Sequence, residues 1–148
     1  MKHPASPPQA VTRLLSSRRV AVLATHDHGQ PYTSLVAFAA TDDLKRLLFA
    51  TPRATRKYAN ILADARVAMM IDNRSNKADD LREAVAVTAI GRVEEVERKP
   101  GSRHVKCLLA KHPDLEEFVT GADQALLTVI VDKYVVVSRF QQVKEYRV

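Results

Sequence analysis

The stretch RLLFATPRATRKYANIL, from Arg46 to Leu62, gathers the side chains of this chain best suited to holding a charged ligand. An apolar run ends at Thr51 and turns through Pro52. Thr55, Arg56 and Lys57 then open a helical segment. Its apolar face is spelled by Tyr58, Ile61, Leu62 and Ala65, at i, i+3, i+4 and i+7. Two cations, two hydroxyls and the unpaired N–H groups of a helix start converge on one spot. A phosphate dianion suits that spot, because the free donors and the positive end of the macrodipole both favour negative charge. Arg adds a bidentate contact and Lys a point charge. A solvated basic first turn is the other reading, although cations at a helix start oppose the dipole unless an anion is present.

The remaining candidates are weaker. His26 and His28 form an H-x-H pair, but they fall in a predicted turn with no third ligand, so no metal site is expected. His104 and His112 lie two turns apart on one predicted helix, too far for a chelating pair, and are expected to be exposed or half-buried. Asp42-Asp43 and Asp79-Asp80 read as turn formers. Glu94, Glu95 and Glu97 read as a solvated strand end. Cys107 adjoins an apolar helix face and reads as an inert thiol. Ser34 stands on a strand rather than in a G-x-S-x-G elbow, which gives hydrolase chemistry no support.

Composition narrows the classes. The chain has 148 residues and 46% hydrophobic content, enough for one domain with its own core. With 23 Lys and Arg against 17 Asp and Glu, the net charge is +6 and the pI about 9.7, which favours anionic partners. The cations are dispersed and aromatics make up only 5%, so nucleic-acid binding is not expected. A single Cys excludes an intramolecular disulfide. The N-terminal MKHPASPPQA has no apolar signal core, and no run approaches the roughly 20 apolar residues of a membrane span. A cytoplasmic protein is expected, with no membrane contact.

Residues 1–8 read as a loose arm and 9–148 as one domain. A short helix carries Val11, Leu14 and Leu15. RVAVLAT (19–25) and PYTSLVAFAA (31–40) read as strands joined by HDHGQ, followed by a strand over 45–51. The helix at Arg56 leads to RVAMMID (66–72), a nearly continuous apolar run and so a well-buried strand. NRSNKADDL (73–81) is polar and irregular. A strand over 84–96 contains Gly91, which marks a bulge or a close backbone approach. Helices follow over 102–112 and 114–120, then β-rich segments over 126–132 and 133–146, as one bent strand or two. Tight turns between early strands mean antiparallel neighbours. The fold class is therefore mainly β (α+β), a small antiparallel barrel with short flanking helices. Neither G-x-G-x-x-G nor G-x-x-x-x-G-K-[ST] occurs, so a phosphate clamp would have to use side chains and one helix start.

The order of RVAVLATHDHGQPYTSLVAF, LLFATPRATRKYANIL, ARVAMMID and AVTAIGRV resembles the pyridoxamine 5′-phosphate oxidase-like, FMN-binding split-barrel proteins. The carrying element is F-x-T-x-x-x-[ST]-R-K, here Phe49 to Lys57, after a strand containing S-x-V-x-F. The resemblance implies a six-stranded split β-barrel and a homodimer with FMN at the subunit interface. It implies that Thr51, Thr55, Arg56 and Lys57 hold the FMN phosphate. Ser34, Leu35, Val36 and Ala37 would line the isoalloxazine and ribityl chain through backbone groups, with Ala50 alongside. Asn73, Arg74 and Ser75 would lie near the flavin edge, contributed by one subunit to the other's site. The implied activity is flavin-dependent oxidoreduction of a small molecule. The alternatives are an F420-dependent reductase and a flavin or haem carrier without turnover. The chain departs from the family at its end: it has no Trp, and VSRFQQVKEYRV lacks the Arg-x-His-x-Arg-like element that binds the substrate phosphate. Pyridoxal 5′-phosphate synthesis is therefore not expected, and no catalytic acid or base is assigned.

Overall fold

The computed structural model describes residues 8–99, 101–139 and 142–148. Residues 1–7 of the expected arm lie outside them, while Pro8 is the N-cap of the first helix. In chain order the elements are α1 (Gln9–Ser17), β1 (Val20–Asp27), β2 (Gln30–Ala37), β3 (Ala39–Ala40), β4 (Arg46–Pro52), α2 (Arg56–Ala63) and β5 (Arg66–Asp72). There follow α3 (Asp80–Glu83), β6 (Val85–Val96), α4 (Arg103–Lys111), a 3-10 turn (Pro113–Leu115), α5 (Glu116–Thr120), β7 (Gln124–Ser138) and β8 (Gln142–Arg147).

All strand pairs are antiparallel, in the order β2-β1-β5-β6-β7-β4-β3, with β8 added to β7. The two ends of that order are nearly one strand, since β2 and β3 are separated only by Phe38. β2 bonds β1 and β3 bonds β4, so the sheet curls back on itself as a barrel that is split where β2 and β4 part company. This is the split barrel expected from the sequence, built from eight strand segments rather than six. The extra two are the short β3, which continues β2, and β8.

The strands form where they do because alternate residues fill the barrel. Leu23, Leu47, Phe49, Met69, Val87, Leu127 and Val129 are all within the central core. β4 reads as an unbroken apolar run because both of its faces are covered. Leu47 and Phe49 face the barrel interior, while Ala50 packs on a second cluster formed by Val105, Leu108, Val119 and Leu126 beneath α4 and α5. The tight β1–β2 turn uses His28 (φ 48°) and Gly29 (φ 88°), the two positive-φ positions that a two-residue hairpin turn requires.

Three expectations change in detail. β5, expected to be well buried throughout, alternates, with Val67, Met69 and Ile71 buried and Ala68 and Met70 half-buried. β7 is one 15-residue strand. In α2, Leu62 is 70% exposed and Ala65 falls beyond the helix end. Asn60, only 5% exposed, is buried instead and donates through Nδ2 to Thr25 Oγ1 at 3.1 Å.

α4 is seated by its last turn. Lys111 Nζ donates to the Leu15 carbonyl at 2.8 Å and lies 3.9 Å from the Phe38 ring centroid. His112, which caps the helix, is buried rather than half-exposed, with Nε2 2.8 Å from the Phe38 carbonyl oxygen. Burial pushes the Lys111 pKa down from 10.5 to about 8. Between those values the unfolded chain holds a proton that the folded chain has released, so stability rises with pH across that window. Unfolding of the wild type and Lys111→Met, compared from pH 7.5 to 10.5, should show an extra stabilisation with rising pH that only the wild type has. Parallel curves would contradict it.

Candidate functional site

The helix start at α2 is built by two hydroxyls. Thr55 is the N-cap, in extended conformation (φ −122°, ψ 155°), and its Oγ1 accepts from Tyr58 N at 3.3 Å. Thr51 Oγ1 lies 3.1 Å from Thr55 Oγ1 and 3.2 Å from the Pro52 carbonyl. Thr51 is wholly buried, so it fixes the cap rather than facing solvent. The cap leaves Arg56 and Lys57 in the first turn, where no acidic residue accompanies them. Arg56 stacks over the Tyr32 ring at 5.4 Å, which aims the guanidinium toward β2. Among the described residues neither cation has a carboxylate within ion-pair distance.

Beside this helix start the barrel is open. A cleft of about 230 Å³ has Leu35, Val36 and Ala37 of β2 on one wall and Ala50, Thr51 and Pro52 of β4 on the other. Lys57 reaches its rim, and Leu115 and Phe118 cover it from the α5 side. Among the described residues β2 bonds β1 on one side and no strand on the other, so its second row of N–H and C=O groups faces the cleft without a strand partner. Small side chains at Ala37 and Ala50 leave the space between the walls. Ser34 shares a strand face with the core residue Val36, and its Oγ is shielded from water without a hydrogen-bond partner.

The structure thus gathers Leu35, Val36, Ala37, Ala50, Thr51 and Lys57 around one cleft, with Thr55 and Arg56 at the adjoining helix start. It does not bring Asn73, Arg74 and Ser75 there within one chain. Asn73 accepts from Val85 N through Oδ1 at 2.7 Å, Arg74 pairs with Asp72 at 2.6 Å, and Ser75 N donates to Asp80 at 2.9 Å. Those three form a closed loop between β5 and β6. Pro52, Leu115 and Phe118 were not anticipated. Leu115 and Phe118 stand at i, i+3, a spacing visible in the sequence but common to any helix packed on a core.

Two further contacts hold the cleft walls. Glu95, expected to be solvated, accepts Arg53 Nη1 and Nη2 at 2.9 and 3.0 Å and the Tyr58 hydroxyl at 2.6 Å. The Arg53 and Tyr58 hydrogen bonds hold the Glu95 carboxyl below its ordinary range. This network joins the β4–α2 turn to β6. On the other side, the Arg98 guanidinium donates to the carbonyls of Val119 at 3.2 Å, Gly121 and Ala122, which pins the segment following Phe118.

The histidines of the first hairpin are otherwise engaged. His26 Nε2 lies 3.0 Å from Asp64 Oδ2 and His28 Nδ1 lies 2.6 Å from Asp27 Oδ1. Among the described residues no group of three or more His, Cys, Asp and Glu could hold a metal ion, and no helix is long and apolar enough to cross a membrane.

Comparison with known proteins fits this geometry. A family model described as pyridoxamine 5′-phosphate oxidase matches residues 7–137. No curated protein matches the chain. Among solved structures, a haem-binding protein from Mycobacterium smegmatis superposes with a TM-score of 0.83 at 19% identity, over 99% of this chain and 60% of that one. This chain therefore spans less than two thirds of that protein. A FAD-binding protein from Mesorhizobium loti gives a TM-score of 0.66 at 24% identity, covering 88% of this chain and 93% of its own. General stress protein 26 from Bacillus anthracis gives 0.69 at 15% identity, covering 95% and 97%.

Proposed function

The chain belongs to the pyridoxamine 5′-phosphate oxidase family, and from that premise we propose that it binds FMN in the cleft between β2 and β4 and acts as a flavin-dependent oxidoreductase on a small molecule. The observation that carries this reading is one juxtaposition. The unpaired edge of β2 lies across a narrow cleft from a helix start whose two cations have no acidic partner. A flat ring edged with donors and acceptors matches the first, and a phosphate dianion matches the second. Thr55 would hold the phosphate from the cap position, Arg56 and Lys57 would neutralise it, and Ala37 and Ala50 would leave room for the ring.

Bound flavin would supply the hydride chemistry; the protein would orient it and limit access of water. Among the described residues no His, Asp, Glu, Cys or Tyr lines the cleft, so proton transfer is left to Lys57, substrate, solvent or flavin.

The cleft of about 230 Å³ is smaller than the ~300–1,000 Å³ of sites that enclose a ligand. Exposed apolar side chains stand on and beside it: Leu35 is 71% exposed, and Val20, Tyr32 and Phe118 are also exposed. A second copy covering these residues would complete the site and hide the patch, which supports a homodimer with one FMN per chain. In such a dimer the Asn73–Ser75 loop would reach the partner's flavin.

The haem-binding neighbour raises a second reading, and the lining favours flavin. Haem needs an axial His, Cys, Met or Tyr, and among the described residues none lines the cleft. Titrating the purified protein with FMN, FAD, riboflavin and haem separates these readings. The expected result is saturable quenching of FMN fluorescence at one per chain, with riboflavin held at least about 100-fold more weakly because the phosphate contacts are lost. Equal affinity for riboflavin, or preference for haem, would overturn the assignment.

A further inference from the structure

A second and larger cavity, about 730 Å³, lies between α1, the β3–β4 turn and α4. It shares no lining residue with the cleft, and its volume falls within the ~300–1,000 Å³ of small-molecule sites. Leu15, Ala39, Leu44 and Ala110 give it an apolar wall. Arg46, Arg103 and Lys111 also line it, and among the described residues none has a carboxylate within ion-pair distance.

Two of its polar groups are incompletely satisfied: Lys111 lacks a counter-ion and His104 a hydrogen-bond partner among the described residues. Lys111 is half-buried, and its ammonium has only the Leu15 carbonyl and the face of Phe38 beside it. Desolvated charge without a counter-ion is costly, and an anion in the cavity would offset that cost. His104 Nε2 is shielded from water and makes no hydrogen bond. Burial and the nearby Arg103 and Arg46 push its pKa down, so the ring is neutral at pH 7 and one nitrogen can donate to an oxyanion. The opposing acids are Asp42 and Asp43. Asp43 is already occupied by its own turn, accepting Thr41 Oγ1 at 2.7 Å and Lys45 N at 2.9 Å. Cys107, the remaining titratable group of the cavity, is turned to the Ala40 carbonyl at 3.6 Å, and burial raises its pKa, so it stays an uncharged thiol.

We propose that this cavity is a second ligand site, which takes a small organic anion: an apolar body against Leu15, Leu44 and Ala110, with a carboxylate or phosphate monoester among Arg46, Arg103, His104 and Lys111. The site does not depend on what occupies the cleft. Binding there would restrain α1 against α4 and the β3–β4 turn, next to the strand that continues β2.

The test is an amide-resolved NMR titration of labelled protein with phenyl phosphate, in the presence of one equivalent of FMN, with phenol as the uncharged comparator. Saturable shifts at Ala40, Cys107 and Ala110 are expected, with phenol at least about tenfold weaker. Arg103→Met, at an exposed position, should weaken phenyl phosphate several-fold. Arg103→Met with Lys111→Met should weaken it by about tenfold or more, and Arg56→Ala with Lys57→Ala should leave it unchanged. The last variant separates this cavity from the cleft, whatever the cleft binds. Shifts confined to Leu35–Ala37 and Ala50–Lys57, equal binding of phenol, full affinity in Arg103→Met, or no saturation would each overturn the proposal.

Discussion

Alanine at both Arg56 and Lys57 should weaken FMN binding by about 100-fold or more and leave the fold intact. Each residue would contribute a charge-assisted contact to the phosphate, and neither is needed elsewhere. Arg56 is exposed and only stacks on Tyr32, and Lys57 sits at the cleft rim. Removing two cations from a first turn that holds no acid also relieves an unfavourable interaction with the helix dipole, so the apo protein should be no less stable. Riboflavin provides the internal control. Its affinity should change by less than about twofold in the same variant, because the lost contacts are to phosphate alone. Unchanged FMN affinity, or an equal loss for riboflavin, would mean that the helix start is not the clamp.

Gly91→Ala should be the most damaging single methyl in the chain. At Gly91 the β6–β7 register shifts: Ile90 pairs with Lys133 and Gly91 with Val131. A Cβ there would stand 2.9 Å from the Ile130 carbonyl carbon and 3.1 Å from Val131 Cα, and both obstacles are backbone. Nothing can rotate away, so β6 and β7 must separate at the bulge that lets β7 serve β4 with its first half and β8 with its second. We expect a loss of about 3 kcal/mol, read as a fall of roughly 10 °C in thermal midpoint. Gly121→Ala is the comparison. Its nearest contact would be the flexible Gln124 Cγ at 3.3 Å, so its effect should stay within about 0.5 kcal/mol. Similar midpoints for the two variants would contradict the close-approach account.

Much of this architecture was legible because its signals are local. Alternation in β1 and β2, the His28-Gly29 turn and the Thr55 cap each follow from a few adjacent residues. Other features depend on partners distant in sequence. Asp132-Lys133 looks like a break in an apolar run, yet β7 runs straight through it. Asp132 has no partner on β6, since the bulge at Gly91 skips it. Leu62 looked like core by spacing, and Asn60 took the inward place because Thr25 supplies its hydrogen bond. Glu95 looked solvated because Arg53, which claims it, lies far away in sequence on the β4–α2 turn. At the cleft, the cationic helix start could be read from composition and spacing, since charge and capping chemistry are carried by residue type. Leu115 and Phe118 could not, because nothing in an amphipathic turn says which groove it will cover.

Whether this cleft holds FMN can be read from the visible spectrum of freshly purified protein, followed by mass analysis of what heat releases. Flavin absorbance is expected, with FMN in the supernatant, or stoichiometric uptake of added FMN if the cofactor is lost in purification. A protein that is colourless and takes up no FMN, or that releases haem instead, would contradict the FMN assignment.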